Sequence, residues 1–209
     1  YPGEISSAGP GEGTAEAAFA GIERAVSGGI NAPWTSSLGR VFDGVAALLG
    51  LRRRVSFEGQ AAMELEGLAR GETDIALPFH IAEAPAAGPG TEDALPNSAA
   101  KTLDLRPAVR TIAEQVLAGR PRTEIALAFH QLLPEALTAV TRMIRDETGL
   151  NRVVLSGGCF QNRLLLAGCL ASLRRAGFET YHHRLVPTND GGISLGQAVC
   201  AGANQESTR

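Results

Sequence analysis

Between Arg152 and Ala201 the chain reads RVVLSGGCFQNRLLLAGCLASLRRAGFETYHHRLVPTNDGGISLGQAVCA, and no other stretch restricts the fold as much. Arg152-Val153-Val154-Leu155 is a short apolar run rich in β-branched residues, and it stops at Ser156-Gly157-Gly158. Leu165, Cys169 and Leu173 then recur at i, i+4 and i+8, the spacing of one helix face. A second glycine turn, Asn189-Asp190-Gly191-Gly192, opens another helix. The order is strand, glycine turn, helix, strand, glycine turn, helix. Two such turns suit one shared anion site. Backbone N–H groups point out of them, helix dipoles favour negative charge, and glycine lets a phosphate reach the main chain. Neither the P-loop pattern nor the dinucleotide pattern of spaced glycines is present, so spacing alone points to phosphate or nucleotide and goes no further.

The 209 residues are 44% hydrophobic and 20% charged with a formal net charge of −3, values of a globular protein of one domain or one and a half. A slightly acidic balance argues against sequence-independent nucleic-acid binding, which needs a basic face. No apolar run approaches the roughly 20 residues of a membrane span. Tyr-Pro-Gly-Glu at the start is unlike a signal peptide, and a first residue other than Met fits a fragment. Cys159, Cys169 and Cys200 are odd in number and form no CxxC pair, which predicts reduced thiols and a cytoplasmic location.

Along the chain, residues 1–14 read as a flexible leader. Ala15 to Ala25 reads as a helix ended by Gly28-Gly29. The next helix spans Arg40 to Gly50, with Val41, Phe42, Val45, Leu48 and Leu49 as its core face and Asp43 off that face, a place where Asp is ordinarily just solvated. Gln60 to Arg70 reads as a helix and Ile75 to Ile81 as an edge strand broken by Pro78. Glu83 to Lys101 reads as a mobile loop. Helices follow at Leu105 to Gly119 and Thr123 to Glu147, the second kinked at Pro134, and a frayed tail from Gly202. The folded part is 15–201, an α/β unit with helices in the majority.

Four segments carry a resemblance: NAPWTSSLGRVFDGVAALLG (31–50), FEGQAAMELE (57–66), LSGGCFQNRLL (155–165) and RLVPTNDGGISLGQA (184–198). In them the chain resembles the C-terminal part of the carbamoyltransferases of nickel–iron hydrogenase maturation, the HypF family. It is more distantly similar to tRNA threonylcarbamoyladenosine transferases and antibiotic O-carbamoyltransferases. The resemblance implies one lobe of an actin-like (ribonuclease H-like) ATPase fold with added helices. It also implies a chemistry: carbamoyl phosphate and ATP yield a carbamoyl-adenylate, and the carbamoyl group passes to the C-terminal cysteine of a partner of the HypE family. By the same resemblance Asp190 matches a carboxylate that ligates a divalent metal ion. Ser156, Gly157 and Gly158 match the turn that meets the nucleotide phosphates. Asn162 matches a nucleoside contact, and Asp43 and Gly59 match positions that hold ribose and purine.

The family's pair of metal-binding histidines, four apart on a helix, has no counterpart. His80, His130, His182 and His183 include no i, i+4 pair and read as non-ligands. Cys159 reads as a small thiol packed under its turn, because no His or basic residue lies near it in sequence to ionise it. Two other readings stay open on the residues: a non-catalytic module that binds nucleotide or a partner, and another actin-like phosphotransferase.

Overall fold

The computed structural model describes residues 15–30, 32, 35–52, 54–83 and 101–206. The elements run α1 (Ala15–Ser27), α2 (Leu38–Leu48), α3 (Gln60–Leu68), β1 (His80–Glu83), β2 (Lys101–Asp104), α4 (Arg106–Leu117), α5 (Arg122–Thr148), β3 (Arg152–Leu155), α6 (Arg163–Arg175), β4 (Glu179–His182) and α7 (Ile193–Glu206). Short 3-10 turns at Gly158–Gln161 and Asp190–Gly192 lead into α6 and α7. The chain divides into two units, Tyr1–Ser37 and Leu38–Arg209. In the first, α1 ends where Gly29 takes a left-handed φ of 66° and Ile30 N–H closes back on Ala25.

The helix-rich α/β expectation is met. β3 and β4 pair in parallel, Arg152 opposite Glu179 and Leu155 opposite His182, with α6 as the crossover between them. Alternation along the strands turns Val153, Leu155, Thr180 and His182 inward, while Val154 (68%) and Tyr181 (47%) stay exposed on the opposite face. The expected α6 stripe is the buried one: Leu165, Cys169 and Leu173. Burial pushes the Cys169 thiol up to about 11.

This stripe packs on α5, the longest helix, whose buried side chains include Ile125, Phe129, Leu132, Leu133 and Ala136. Pro134 lies inside that helix and lacks an amide to continue the ladder, yet the helix runs through it. Its ring faces Gly168 so closely that a Cβ there would lie 2.6 Å from Pro134 Cγ. Lower down, Thr138 donates to Ser172 across the same interface at 2.9 Å.

A polar tether fixes the start of α6. Asn162 is only 8% exposed, and its Oδ1 caps the helix by accepting from Leu165 N–H at 2.9 Å. Its Nδ2 lies 3.0 Å from Nε2 of the buried His130, whose Nδ1 lies 2.8 Å from the Ala126 carbonyl. Only one assignment satisfies all three contacts: His130 is neutral, donates through Nδ1–H to Ala126, and accepts at Nε2 from Asn162. Burial is the main cause holding the His130 pKa below its ordinary 6.5, against opposing contributions from the Ala126 bond and the Glu66 charge.

Several expectations need correction. α2 buries Phe42, Val45 and Ala46, and Leu49 is buried just after it, but Leu48 is 41% exposed. Ile75 to Phe79 pairs with nothing regular; the strand is His80–Glu83, beyond Pro78. Its antiparallel partner β2 had no clear signal, because Lys-Thr-Leu-Asp offers one apolar residue. Glu83 and Lys101, the expected loop ends, are ladder partners joined by an ion pair at 3.4 Å. Residues 84–100 and the leader 1–14 lie outside the described residues. α7 continues past Gly202 to Glu206 where a frayed tail was expected, there being no proline to stop it.

Two outcomes follow. Gly168→Ala should lower unfolding stability by about 1–3 kcal/mol, since the proline ring cannot yield, whereas Gly196→Ala on exposed α7, with open space at its Cβ, should be neutral or gain up to about 1 kcal/mol; urea titration distinguishes them. His130 resists protonation when folded and accepts it freely when unfolded. Its contribution to stability is therefore complete above about pH 6.5 and is lost as pH falls from there, with a slope of at most about 1.4 kcal/mol per pH unit. His130→Gln should remove that part of the pH dependence in denaturation curves measured between pH 5 and about 8.

Candidate functional site

Parallel pairing puts the C-terminal ends of β3 and β4 on one edge, and both glycine turns leave from that edge. The turns consequently meet. Gly157 N–H donates to the Thr188 carbonyl at 3.0 Å, and the Thr188 hydroxyl donates back to the Gly157 carbonyl at 3.1 Å. A Cβ on Gly158 would lie 3.9 Å from Asn189 Cβ. One residue earlier, Ser156 Oγ lies 2.9 Å from His183 Nε2. Between them the four contacts join segments 156–158 and 183–189 side by side.

The glycines have separable reasons. Gly157, at φ 105° and ψ 157°, occupies a region open in practice only to glycine. Gly192 is needed for close approach, since a Cβ there would come within 2.8 Å of the Pro187 carbonyl oxygen. The cap of the second turn is Asn189, whose Oδ1 accepts from Gly191 N–H at 3.2 Å. Asp190 is exposed, and the capping role open to it falls to its neighbour. A small cavity of ≈ 80 Å³ beside the turns is lined by Leu155, Phe160, His182, His183, Val186 and Thr188, among others.

The start of α6 departs from expectation. An open helix N-terminus was expected to attract an anion. Instead Glu66, from α3, places its Oε1 2.7 Å from Arg163 N and 3.4 Å from Leu164 N, and Asn162 takes the Leu165 amide. The first-turn amides are already committed to the protein, and a carboxylate sits on the positive end of the dipole. Glu66 is a residue that sequence reading missed. Its partner lies 97 positions away, and nothing local marks it.

The remaining candidates sit on α2 and at the start of α3. Asp43 is half-exposed and paired with Arg40 at 3.1 Å. Gly59 precedes α3 at a left-handed φ of 78°, with nothing within 4 Å of where a Cβ would stand, so its surface is open. The side chain of buried Gln60 accepts from Ser56 N–H at 2.8 Å and so fixes the loop before Gly59. Cys159 is partly buried and packs against the hydrophobic core beneath the first glycine turn. Burial, outweighing the opposing influence of the Gly39 amide, pushes its thiol above the ordinary value. That disfavours the thiolate a nucleophile needs.

Among the described residues no group of three or more His, Cys, Asp or Glu side chains gathers that could hold a metal ion. Asp190 offers one hard carboxylate, and one carboxylate does not make a coordination sphere. The described residues do not by themselves fit a metal. The three cysteines are free thiols. No described helix is long and apolar enough to cross a membrane.

Comparison with known proteins agrees with this geometry. The family described as "Carbamoyltransferase, Kae1-like Domain, second subdomain" matches residues 5–197. The chain is 40% identical over 176 residues to carbamoyltransferase HypF of Rhizobium leguminosarum bv. viciae, covering 84% of this chain and 21% of that protein. It is 38% identical over 193 residues to carbamoyltransferase HypF2 of Cupriavidus necator, covering 86% of this chain and 23% of that protein. A crystal structure of full-length HypF in its phosphate- and nucleotide-bound form superposes with a TM-score of 0.77 at 40% identity, over 90% of this chain and 23% of that one. The chain thus spans about a fifth of the length of these relatives. The actin-like expectation agrees with the Kae1-like match, and the chain belongs to the HypF carbamoyltransferase family, as the second subdomain of its Kae1-like domain.

Proposed function

We propose that this chain is the nucleotide-phosphate half of a carbamoyl-transfer site in nickel–iron hydrogenase maturation. The observation that carries the reading is the joining of two glycine turns through Gly157 and Thr188 at one edge of a parallel strand pair. Strand ends of α/β sheets are where ligands commonly bind. The phosphate- and nucleotide-bound relative supports it from outside.

In this reading the whole enzyme makes carbamoyl-adenylate from carbamoyl phosphate and ATP. The partner's C-terminal cysteine, as thiolate, attacks the carbamoyl carbon. A C–S bond forms, the bond from that carbon to the phosphate oxygen breaks, and AMP leaves with the electron pair. The acceptor is a protein of the HypE family, and the reaction takes place in the cytoplasm. This chain orients the adenylate. Ser156, Gly157 and Gly158 face its phosphate, Asp43 accepts from ribose hydroxyls, and side-chain-free Gly59 lies against the base. Asn162 contributes to nucleoside contact through the one amide hydrogen its bonds to His130 and Leu165 leave over. Asp190 supplies one carboxylate toward a divalent ion whose other ligands lie outside this chain.

The test is transfer of the carbamoyl group to the partner's cysteine by the complete enzyme, followed by mass spectrometry. Asp190→Ala should reduce transfer by at least two orders of magnitude, the scale of losing an electrostatic stabiliser, roughly 10²-fold or more. Thermal stability should stay near wild type because the side chain is exposed. Transfer at the wild-type rate would overturn the assignment of Asp190.

A further inference from the structure

We infer that His183 is a positioning residue for the phosphate turn: its Nε2 donates to Ser156 Oγ when an anion is bound, leaving the serine O–H to donate to the anion. The inference rests on the nucleotide reading above and deepens it.

Several amide donors around the turn are already taken, although Gly158 N–H has no acceptor among the described residues. Gly157 N–H is spent on Thr188, Arg163 and Leu164 N–H on Glu66, and Leu165 N–H on Asn162. A turn whose nearby amides are this committed depends on its side-chain hydroxyl to a greater degree than a free helix N-terminus would. Ser156 is exposed at the mouth of the turn, and its oxygen lies 2.9 Å from His183 Nε2.

A serine hydroxyl has one hydrogen and two lone pairs, and a neutral imidazole has one N–H. The pair therefore has two arrangements. In one, Ser156 donates to Nε2 and has nothing left for an anion. In the other, Nε2–H donates to Oγ and the serine proton turns outward. A negatively charged oxygen favours the second, because hydrogen bonds to ionised acceptors are the stronger ones. The exchange is accessible: His183 is exposed, so its ring can trade protons with water. Its place is set by the backbone, since Thr188 ties the same segment to Gly157. His183 follows directly on β4, one residue after the in-facing His182, so strand register delivers the ring to Ser156.

The experiment measures ATP binding calorimetrically to the complete enzyme and to its Ser156→Ala, His183→Leu, His183→Gln and Ser156→Ala/His183→Leu variants. Ser156→Ala and His183→Leu should each weaken binding on the order of tenfold, the effect of one hydrogen bond to a charged oxygen. The double variant should be no weaker than Ser156→Ala. His183→Gln should bind nearly as wild type, because its amide N–H can donate to the same oxygen. Nitrogen NMR of ring-labelled histidine should show the His183 Nε2 passing from acceptor to donor as ATP is added. Wild-type affinity in His183→Leu, an undiminished His183 effect in the Ser156→Ala background, or an unchanged Nε2 signal with ATP bound would each overturn the inference. If Ser156→Ala weakens binding and His183→Leu does not, only the role of His183 falls. If Ser156→Ala also binds normally, the phosphate-turn reading falls with it.

Discussion

The beginning of α6 is the point on which the arrangement depends. Three separate segments hold it: α3 through Glu66, α5 through His130, and its own cap Asn162. An unpartnered helix N-terminus leaves several N–H groups unsatisfied, and burying them unpaired would cost far more than any one surface contact returns. Here they are satisfied by side chains that arrive from distant parts of the sequence. The crossover helix is thereby fixed in position relative to both helices, and the strand ends it connects are fixed with it. The turns meet because β3 and β4 are parallel, but they meet in one geometry because α6 cannot slide.

Under the proposed function, the same arrangement places anion binding away from the helix axis. In many phosphate sites the helix dipole and its free amides do the work together. Here a carboxylate already occupies that position, so attraction must come from the turn itself and from side chains beside it. That distribution is consistent with the proposed orientation of a leaving phosphate, and within that proposal it gives weight to Ser156.

Much of this was legible in the sequence, and the reasons are specific. The i, i+4, i+8 stripe of α6 needed only periodicity, since Leu165, Cys169 and Leu173 face one partner. The meeting of the turns followed from topology, because parallel strands send both C-terminal ends to one edge. β2 was not legible because a short, mostly polar strand is defined by its partner more than by its own residues. Glu66 and the His130–Asn162 bond were invisible for a different reason. Each joins residues far apart in sequence, and a buried polar contact leaves no periodic trace. Leu48 has the right apolarity but falls where no neighbour covers it.

The pairing of β3 with β4 has a practical side. Among the described residues the parallel sheet has two strands, so each strand has one edge without a partner, and Val154 and Tyr181 add an apolar, exposed surface beside those edges. Parallel sheets are ordinarily covered on both faces. A row of unpaired amides and carbonyls next to bare side chains is a template for strand addition. Charge on that face is sparse and self-cancelling, since Arg152 and Glu179 neutralise each other across the strands at 3.2 Å. For the isolated chain the consequence is colloidal: this edge is a place where copies of the chain can adhere in concentrated solution.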